Sequence, residues 1–324
     1  MKSQDTERGA ILLTTLMVMS IMAALAVAVI DDVRFAVKRA INVQSYAQAD
    51  WYALAGEDFA QSYLTTALAN IPDSELNTLL ITGQPIVFPI EGGVISMSIR
   101  DGNQCLSVND VSTRKEFRQL LEILGWDTLS AARLTAIASD WSDADSNQLP
   151  DGAEDYTYLG RTPAYRAANA EFSSVMELRA LAEMNEEKYQ TLRPFVCARE
   201  QGKLSHININ TLTPQQAPLL AAMLGGNDYY ALALQLIAER PPGGYADLNT
   251  LRASPALGED GLKNANTNAL AFAPIYIWVE TDIFYLEARR TVLLEFERED
   301  GSVTRTFRRF TPEARRPVLE PDPS

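Results

Sequence analysis

The chain has 324 residues, of which 28 are Lys or Arg, 42 are Asp or Glu and one is His, so its formal net charge is −14 at pH 7. This acidity argues against a nucleic-acid partner, because Lys and Arg side chains that neutralise phosphates supply most of the affinity in such complexes. The length is sufficient for two domains with cores of their own.

An uncharged apolar segment follows a short polar leader. The leader, residues 1–9, ends in Arg8-Gly9, and residues 10–30 contain no charged side chain. As a helix, the 21 residues of this segment would extend about 31 Å, enough to cross the hydrocarbon core of a membrane. We interpret residues 10–30 as a membrane-spanning helix that anchors the rest of the chain.

Three kinds of processing fit this start. A secretory signal peptide could be cut at residues 24–26, but the apolar run continues past that site. A plain membrane anchor would stay uncut. We favour a type IV pilin-like leader, because a short charged segment ending in Arg8-Gly9 directly before an apolar helix is typical of that class. Its peptidase would cut between Gly9 and Ala10 and leave the helix attached.

The helix is expected to continue well beyond the membrane. The first glycine after the leader is Gly56, and the first proline is Pro72. The pattern predicts one helix over about 11–69, apolar on all sides in its first half and amphipathic in its second half. Two helices joined near Asp31 are the alternative.

Strand patterns flank a long helical block. Two strands around a Gly-Gly turn are predicted within residues 86–100, and helical patterns dominate residues 112–268. Three more strands follow, with a hairpin turn at Asp300-Gly301, namely 275–280, 285–298 and 303–310. The predicted fold class is α+β, with a pilin-like long N-terminal helix packed on an antiparallel sheet and a large all-α domain inserted between its strands.

The only two cysteines are Cys105, just after the second predicted strand, and Cys197, within the helical block. In the cytosol they would be two unrelated buried thiols. In a periplasmic domain an even pair indicates one disulfide, which would fasten the inserted block to the sheet.

The densest group of potential ligands is an acidic segment at residues 140–155. Its six carboxylates are Asp140, Asp143, Asp145, Asp151, Glu154 and Asp155. Calcium is bound by six to eight oxygens from flexible loops, so the segment predicts a structural calcium site. A true EF-hand is not expected, because Gln148 stands where that loop needs Gly. A solvated acidic loop and a catalytic carboxylate pair are the alternatives.

The sequence gives little support for other chemistry. Zinc is not expected, because His206 is the one histidine and the cysteines are distant from it. No nucleophile-elbow, zinc-protease or phosphate-loop motif is present, so we predict a non-enzymatic protein. Residues 207–240 resemble the opening of a helix-hairpin-helix module, but the turn at 224–228 lacks the Gly-hydrophobic-Gly pattern and basic neighbours. We therefore expect no DNA binding there.

In their order and spacing, these segments resemble the K-type minor pseudopilin of type II secretion systems (the GspK family) over nearly the whole chain. The motifs that carry the resemblance are Arg8-Gly9 with its apolar helix, Trp51-Tyr-Ala-Leu54, Asp140-Trp141-x-Asp143-Ala-Asp145, Gly152-Ala-Glu-Asp155 with Tyr158, Pro163-x-Tyr-Arg166-x-Ala-Asn169 and Ile207-Asn-Ile-Asn-Thr211. The resemblance implies a pilin-like sheet interrupted by an α-domain, a disulfide, calcium in the acidic loop, and cleavage after Gly9 with N-methylation of Ala10 by the prepilin peptidase.

The residue patterns, together with the resemblance, predict an organisation along the chain. Its parts are a leader (1–9), the transmembrane half of the helix (10–30), the pilin-like helix with the first strands (31–110), the inserted α-domain (111–268), the C-terminal strands (269–312) and a disordered tail (313–324).

Two departures from ordinary pilins predict a position at the filament tip. Ala10 replaces the usual first Phe of the mature chain, and Thr14 replaces the fifth-residue Glu that would neutralise the terminal amine of a neighbour within the membrane. The bulky α-domain would obstruct stacking of another subunit above it.

We therefore expect a single-pass inner-membrane protein with a periplasmic head at the tip of the pseudopilus. It would pack with the I-type and J-type minor pseudopilins, initiate or cap assembly of the major pseudopilin, support export of folded proteins and present a surface to the exported cargo. The alternatives are a type IV pilus or DNA-uptake minor pilin that uses residues 207–240, and a membrane-anchored hydrolase that uses the acidic segment.

Overall fold

The computed structural model describes residues 4–66, 71–200, 204–258, 261–299 and 302–310. The expected turn at Asp300-Gly301 and the expected tail at 313–324 lie outside these residues. The helices are α1 (Gln4–Thr66), α2 (Asp73–Thr82), α3 (Arg114–Ile123), α4 (Thr128–Ser142), α5 (Asp155–Leu159), α6 (Glu186–Leu192), α7 (Ala217–Leu224), α8 (Tyr230–Ala238) and α9 (Leu248–Arg252). The strands are β1 (Ile86–Ile90), β2 (Gly93–Asp101), β3 (Leu106–Ser107), β4 (Val196–Cys197), β5 (Ile207–Asn208), β6 (Leu270–Ala271), β7 (Tyr276–Tyr285), β8 (Ala288–Glu299) and β9 (Ser302–Arg309).

α1 is one continuous helix of 63 residues, so the prediction of a single helix is confirmed and two helices joined near Asp31 are excluded. It begins at Gln4 rather than near residue 11, because no proline interrupts the polar leader. Its most apolar 18-residue window has a mean hydropathy of 2.4 and no buried residue. Among the described helices, α1 alone is long and apolar enough to cross a membrane.

The five longer strands form one antiparallel sheet in the order β1-β2-β7-β8-β9. β7 and β8 form a hairpin that turns at Leu286, where φ is 51°. The predicted end of the first of these strands at residue 280 is wrong, because side chains continue to alternate between buried and part-buried positions as far as Ile283.

The second half of α1 covers one face of the sheet, mainly β7 and β8. Small side chains allow a close approach: Ala49, Ala53 and Ala60 are at most 1% exposed, and a Cβ atom at Gly56 would lie 3.2 Å from Thr281 Cγ2. The buried sheet residues in this core include Met97, Val279, Leu294 and Phe296. The predicted α+β class, with the long helix on an antiparallel sheet, is confirmed.

Between β2 and β7 the longer regular elements of the described chain are helices, and this part has an apolar core of its own. α3, α4, α7 and α8 contribute Phe117, Leu134, Leu220 and Leu236 to it. Every residue of α7 is buried, which makes it the central helix of this block. The block therefore folds around a core that is separate from the one beneath α1.

Two segments differ from the sequence-based expectation. α2 is an additional helix, and its Leu76 and Leu80 side chains are buried in the sheet core. Within the predicted helical block, residues 174–184 contain only a 3-10 helix, Val175–Ala180, because the chain becomes extended at Leu181, whose side chain is fully buried.

A disulfide joins the helical block to the end of the sheet. Cys105 and Cys197 are bonded across 92 positions of the sequence, as the even cysteine count favours. β3 pairs with β4 beside this bond, and β5 pairs with β6, each over two residues and in parallel. Such short pairs carry too few residues to give an alternating pattern, so the sequence does not predict them.

A buried carboxylate makes the second connection between block and sheet. Asp101, at the end of β2, accepts hydrogen bonds from Asn103 N, Asn208 Nδ2 and Thr211 Oγ1 at 2.6–2.7 Å. The motif at 207–211 therefore ties the helical block to β2.

Candidate metal centre

The acidic segment is a loop between α4 and α5, held on an aromatic base. Trp141, in the last turn of α4, contacts Tyr158 of α5 with ring centroids 5.1 Å apart and an interplanar angle of 77°. Both rings are buried in the core of the helical block. Because these rings fix both ends of the loop, its carboxylates stand at defined positions.

Asp140 shapes the loop from inside. Its carboxylate is fully buried and accepts a hydrogen bond from Leu149 N at 3.2 Å. A Cβ atom at Gly152 would overlap this carboxylate, so the loop can return over Asp140 only where residue 152 lacks a side chain.

Three carboxylates converge beside Asp140. Oxygen atoms of Asp143, Asp145 and Glu154 lie within 4.8 Å of one another. Asn169 joins the group from the following loop, where its Nδ2 donates to Asp145 O at 3.1 Å and its φ is 45°. Four oxygens of this group are buried without a hydrogen-bond partner in the described structure: Asp143 Oδ1, Glu154 Oε1, Glu154 Oε2 and Asn169 Oδ1.

The electrostatics of the group favour a bound cation. Burial raises the pKa of Glu154, and the neighbouring charges of Asp140 and Asp143 raise it further. Burial also raises the pKa of Asp143, with a further contribution from Asp145 that the Arg114 guanidinium partly offsets. A divalent cation among these oxygens would remove the repulsion and supply the missing partners. An all-oxygen donor set is one that Ca²⁺ prefers and Zn²⁺ does not.

The structure places the other predicted ligands outside this group. Asp151 has a φ of 63° and lies 3.8 Å from Arg133. Asp155 accepts from Ala167 N at 3.0 Å and pairs with Arg166 at 3.2 Å. Of the six predicted ligands, Asp143, Asp145 and Glu154 are therefore brought together, whereas Asp140, Asp151 and Asp155 hold the loop and its neighbours in place.

Asn169 was not among the predicted ligands. It lies 24 positions beyond Asp145, and no local spacing links the two. One feature of the sequence could have indicated Asn169: it ends the motif at 163–169. In the structure, Arg166 and Ala167 of this motif bind to Asp155.

Two other features of the sequence, His206 and the turn at 224–228, can be located in the structure. His206 has a buried Nδ1 with no hydrogen-bond partner among the described residues, so no carboxylate orients the ring there. At the 224–228 turn, the amides of Gly225 and Gly226 both donate to Ala221 O, and Gln119 donates to Gly225 O. These two glycine amides are therefore engaged within the protein.

The processing site lies at the start of α1. Gly9 and Ala10 belong to its described backbone, and the side chain of Ala10 lies outside the described atoms. Cleavage and methylation there stay predictions.

Two family models match adjacent parts of the chain that follow α1. A model described as "Type II secretion system (T2SS), protein K" matches residues 94–201, and a second with the same description matches residues 207–273. The chain belongs to the type II secretion system protein K family. The resemblance identified from the sequence is therefore confirmed, and the chain is a minor pseudopilin of such a system.

Relatives of the family are similar over most of their length. Type II secretion system protein K of Pectobacterium carotovorum subsp. carotovorum is 32% identical over 294 residues, which cover 86% of this chain and 89% of the relative. The protein K of Pseudomonas aeruginosa is 32% identical over 232 residues, which cover 67% of this chain and 68% of the relative.

A solved structure is similar in fold. It is the crystal structure of the GspK-GspI-GspJ complex from the type 2 secretion system of enterotoxigenic Escherichia coli, with a TM-score of 0.71 and 27% identity. The match covers 84% of this chain and 99% of that one.

Proposed function

We propose that this minor pseudopilin stands at the tip of the type II secretion pseudopilus, where it initiates or caps assembly and supports export of folded proteins across the outer membrane. Its partners would be the I-type and J-type minor pseudopilins, and below them the major pseudopilin. The observation that carries the proposal is the exposed apolar side of α1 beyond the membrane segment.

α1 is covered by the sheet on one side only. The alanines of its inner side are buried, whereas Val43 and Trp51 are 64% and 68% exposed. Apolar side chains of this size in contact with water are typical of an interaction surface. Long helices from related subunits, with the same apolar character, would bury this side. The relative in the solved complex carries GspI and GspJ as partners, which supports the same class of partner here.

The tip position is supported by the membrane half of α1 and by the inserted block. Thr14 cannot neutralise a terminal amine in the membrane as the Glu of an ordinary pilin would. The helical block between β2 and β7 adds bulk above the sheet, where another subunit would otherwise stack. A disulfide between Cys105 and Cys197 fits an oxidising compartment such as the periplasm.

The experiment is export in a host whose own copy of the gene is deleted. A chain with Val43→Glu and Trp51→Glu should fold but fail to restore export, and it should no longer co-purify with the I-type and J-type subunits. Leu129→Glu is the matched control, because Leu129 is 62% exposed but lies on α4 of the inserted block. Normal export by the Val43→Glu, Trp51→Glu chain would refute the proposal.

We also propose that the centre formed by Asp143, Asp145 and Glu154 holds a structural Ca²⁺, with Asn169 as a further oxygen donor. The ion would keep the loop closed on Asp140 and thereby fix this end of the helical block. Thermal unfolding of the full chain in detergent, with Ca²⁺ or with a chelator, tests this role, and Mg²⁺ is the control ion. Equal midpoints in Ca²⁺ and chelator would indicate a solvated loop.

A further inference from the structure

A cleft of about 400 Å³ separates the helical block from the face of the sheet that α1 does not cover. We call it the seam cleft. Its sheet side includes Trp278 of β7 and Phe307 of β9, and its other side includes Val175 and Met176 of the 3-10 helix. Its volume lies within the range of preformed ligand pockets in proteins.

The floor of the seam cleft contains a buried, incompletely bonded arginine. Arg199 is 5% exposed, pairs with Glu295 at 3.2 Å and donates to Gly102 O at 2.7 Å. Its guanidinium lies 4.1 Å from the centre of the Tyr276 ring. Its Nε is buried and has no hydrogen-bond partner in the described structure. An unmade bond of this kind costs free energy unless an acceptor reaches it.

A second arginine stands at the rim. Arg309 donates to Ser174 Oγ at 2.9 Å and to Ser173 O at 2.8 Å, and it stacks on Phe307 at 5.0 Å. Both acceptors are neutral, and no ion pair of Arg309 is found among the described residues. The same bonds join the helical block to β9 at the rim of the cleft.

The position of β9 indicates which kind of ligand fits. β9 is the last strand in the described order of the sheet, and Thr306, Phe307 and Arg309 line the cleft from it. The outer edge of such a strand offers unpaired backbone groups to an extended chain. A segment bound there would direct alternate side chains towards the cleft.

We propose that the seam cleft binds an extended segment of another polypeptide that carries one large apolar side chain next to a carboxylate. The apolar side chain would lie among Val175, Met176 and Trp278. The carboxylate would pair with Arg309, and a backbone carbonyl would accept from Arg199 Nε. This site goes beyond the assembly role proposed above, since that role uses the exposed side of α1.

The test uses 19F NMR of the full chain in detergent, labelled with 5-fluorotryptophan at its four tryptophans. Trp278→Phe assigns the signal from the cleft. The probe is the peptide acetyl-Gly-Phe-Asp-Gly-amide. Matched peptides replace Asp by Asn or Phe by Ser, and phenylacetate is the small-molecule arm. The probe should move the Trp278 signal and leave the signals of Trp51, Trp126 and Trp141 in place.

Variants of the cleft test separately how it recognises the carboxylate and the large apolar side chain of the peptide. Arg309→Gln should weaken binding of the Asp peptide by about tenfold or more and abolish its advantage over the Asn peptide, since charge-assisted hydrogen bonds are the stronger ones. Val175→Tyr should fill the cleft and prevent binding while Arg309 stays in place, and it adds no further tryptophan signal. Arg308→Gln is the matched control, because Arg308 pairs with Glu57 on the other face of β9 and Arg305 also contacts Glu57.

Three results would overturn the proposal. The first is a Trp278 signal that no peptide moves at millimolar concentration. The second is equal binding of the Asp and Asn peptides. The third is phenylacetate that binds as tightly as the peptide, which would make the cleft a small-molecule site. Unchanged signals of the other tryptophans check that each variant is folded.

Discussion

The buried Asp101 should give this protein a stability that falls as the pH rises towards neutrality. Burial raises the pKa of Asp101 to about 6, despite hydrogen bonds from Thr211, Asn103 and Asn208 and the nearby Arg199, all of which favour the ionised form. In the unfolded chain the pKa would return to the ordinary value of 3.8. The folded state therefore binds more protons than the unfolded state between these two values.

The sign and size of the effect follow from this difference. The contribution of Asp101 is fully present below pH 3.8 and is lost as the pH rises through about 6. A difference of two units corresponds to about 3 kcal/mol in the free energy of unfolding, since each unit is worth about 1.4 kcal/mol. Asp101→Asn removes the titration, so the difference in unfolding free energy between the native chain and this variant isolates it.

The assay is urea unfolding at several pH values, followed by tryptophan fluorescence in saturating Ca²⁺. The native chain should lose about 3 kcal/mol relative to Asp101→Asn between acid and neutral pH. Asp110→Asn is the control, because its effect on stability should change with pH in the opposite direction. Burial raises the pKa of Asp110, but hydrogen bonds from Ser112 and Ser205 outweigh the effect of burial and lower the pKa overall. If the difference in unfolding free energy between the native chain and Asp101→Asn does not change with pH, the raised pKa assigned to Asp101 is refuted.

Three further predictions concern the loop, the disulfide and the N-terminus. Glu154→Gln should reduce the stabilisation by Ca²⁺ but raise the unfolding midpoint in chelator, because it removes a buried charge beside Asp140; a lower midpoint in both buffers would contradict the site. Replacing Cys105 and Cys197 by Ser should cost up to about 4–5 kcal/mol of unfolding free energy on the chain-entropy model, measured by urea unfolding, and no loss would exclude a constraining role for the bond. Mass spectrometry of the membrane-extracted chain should find methylated Ala10 as the first residue, whereas a soluble product that begins after residue 26 would indicate a signal peptide.

Much of the fold could be predicted because it depends on long, regular patterns. The apolar run at 10–30 and the absence of proline before Pro72 fix one helix, and alternating apolar residues fix the sheet. The sequence did not predict α2 or the position of the β7–β8 turn at Leu286. Both depend on packing against the sheet, which overrides weak local preferences.

The candidate site was predicted only in part, for a similar reason. The sequence places six carboxylates in one loop but does not decide which of them face one another. Asp140 and Asp155 turn to backbone amides, and Asn169 enters from another loop. Arg199 and Asp101 are buried through contacts about 90 or more positions away along the chain, and no local spacing encodes such contacts.

Site-specific crosslinking most directly tests the claim that α1 joins this protein to the other minor pseudopilins. A photoreactive p-benzoylphenylalanine replaces Trp51, whose side chain is 68% exposed on the side of α1 that the sheet leaves open. In membranes of a secreting cell, irradiation should link this position to the I-type or J-type subunit. Crosslinks to the major pseudopilin alone, or none to any pseudopilin, would contradict a place at the tip.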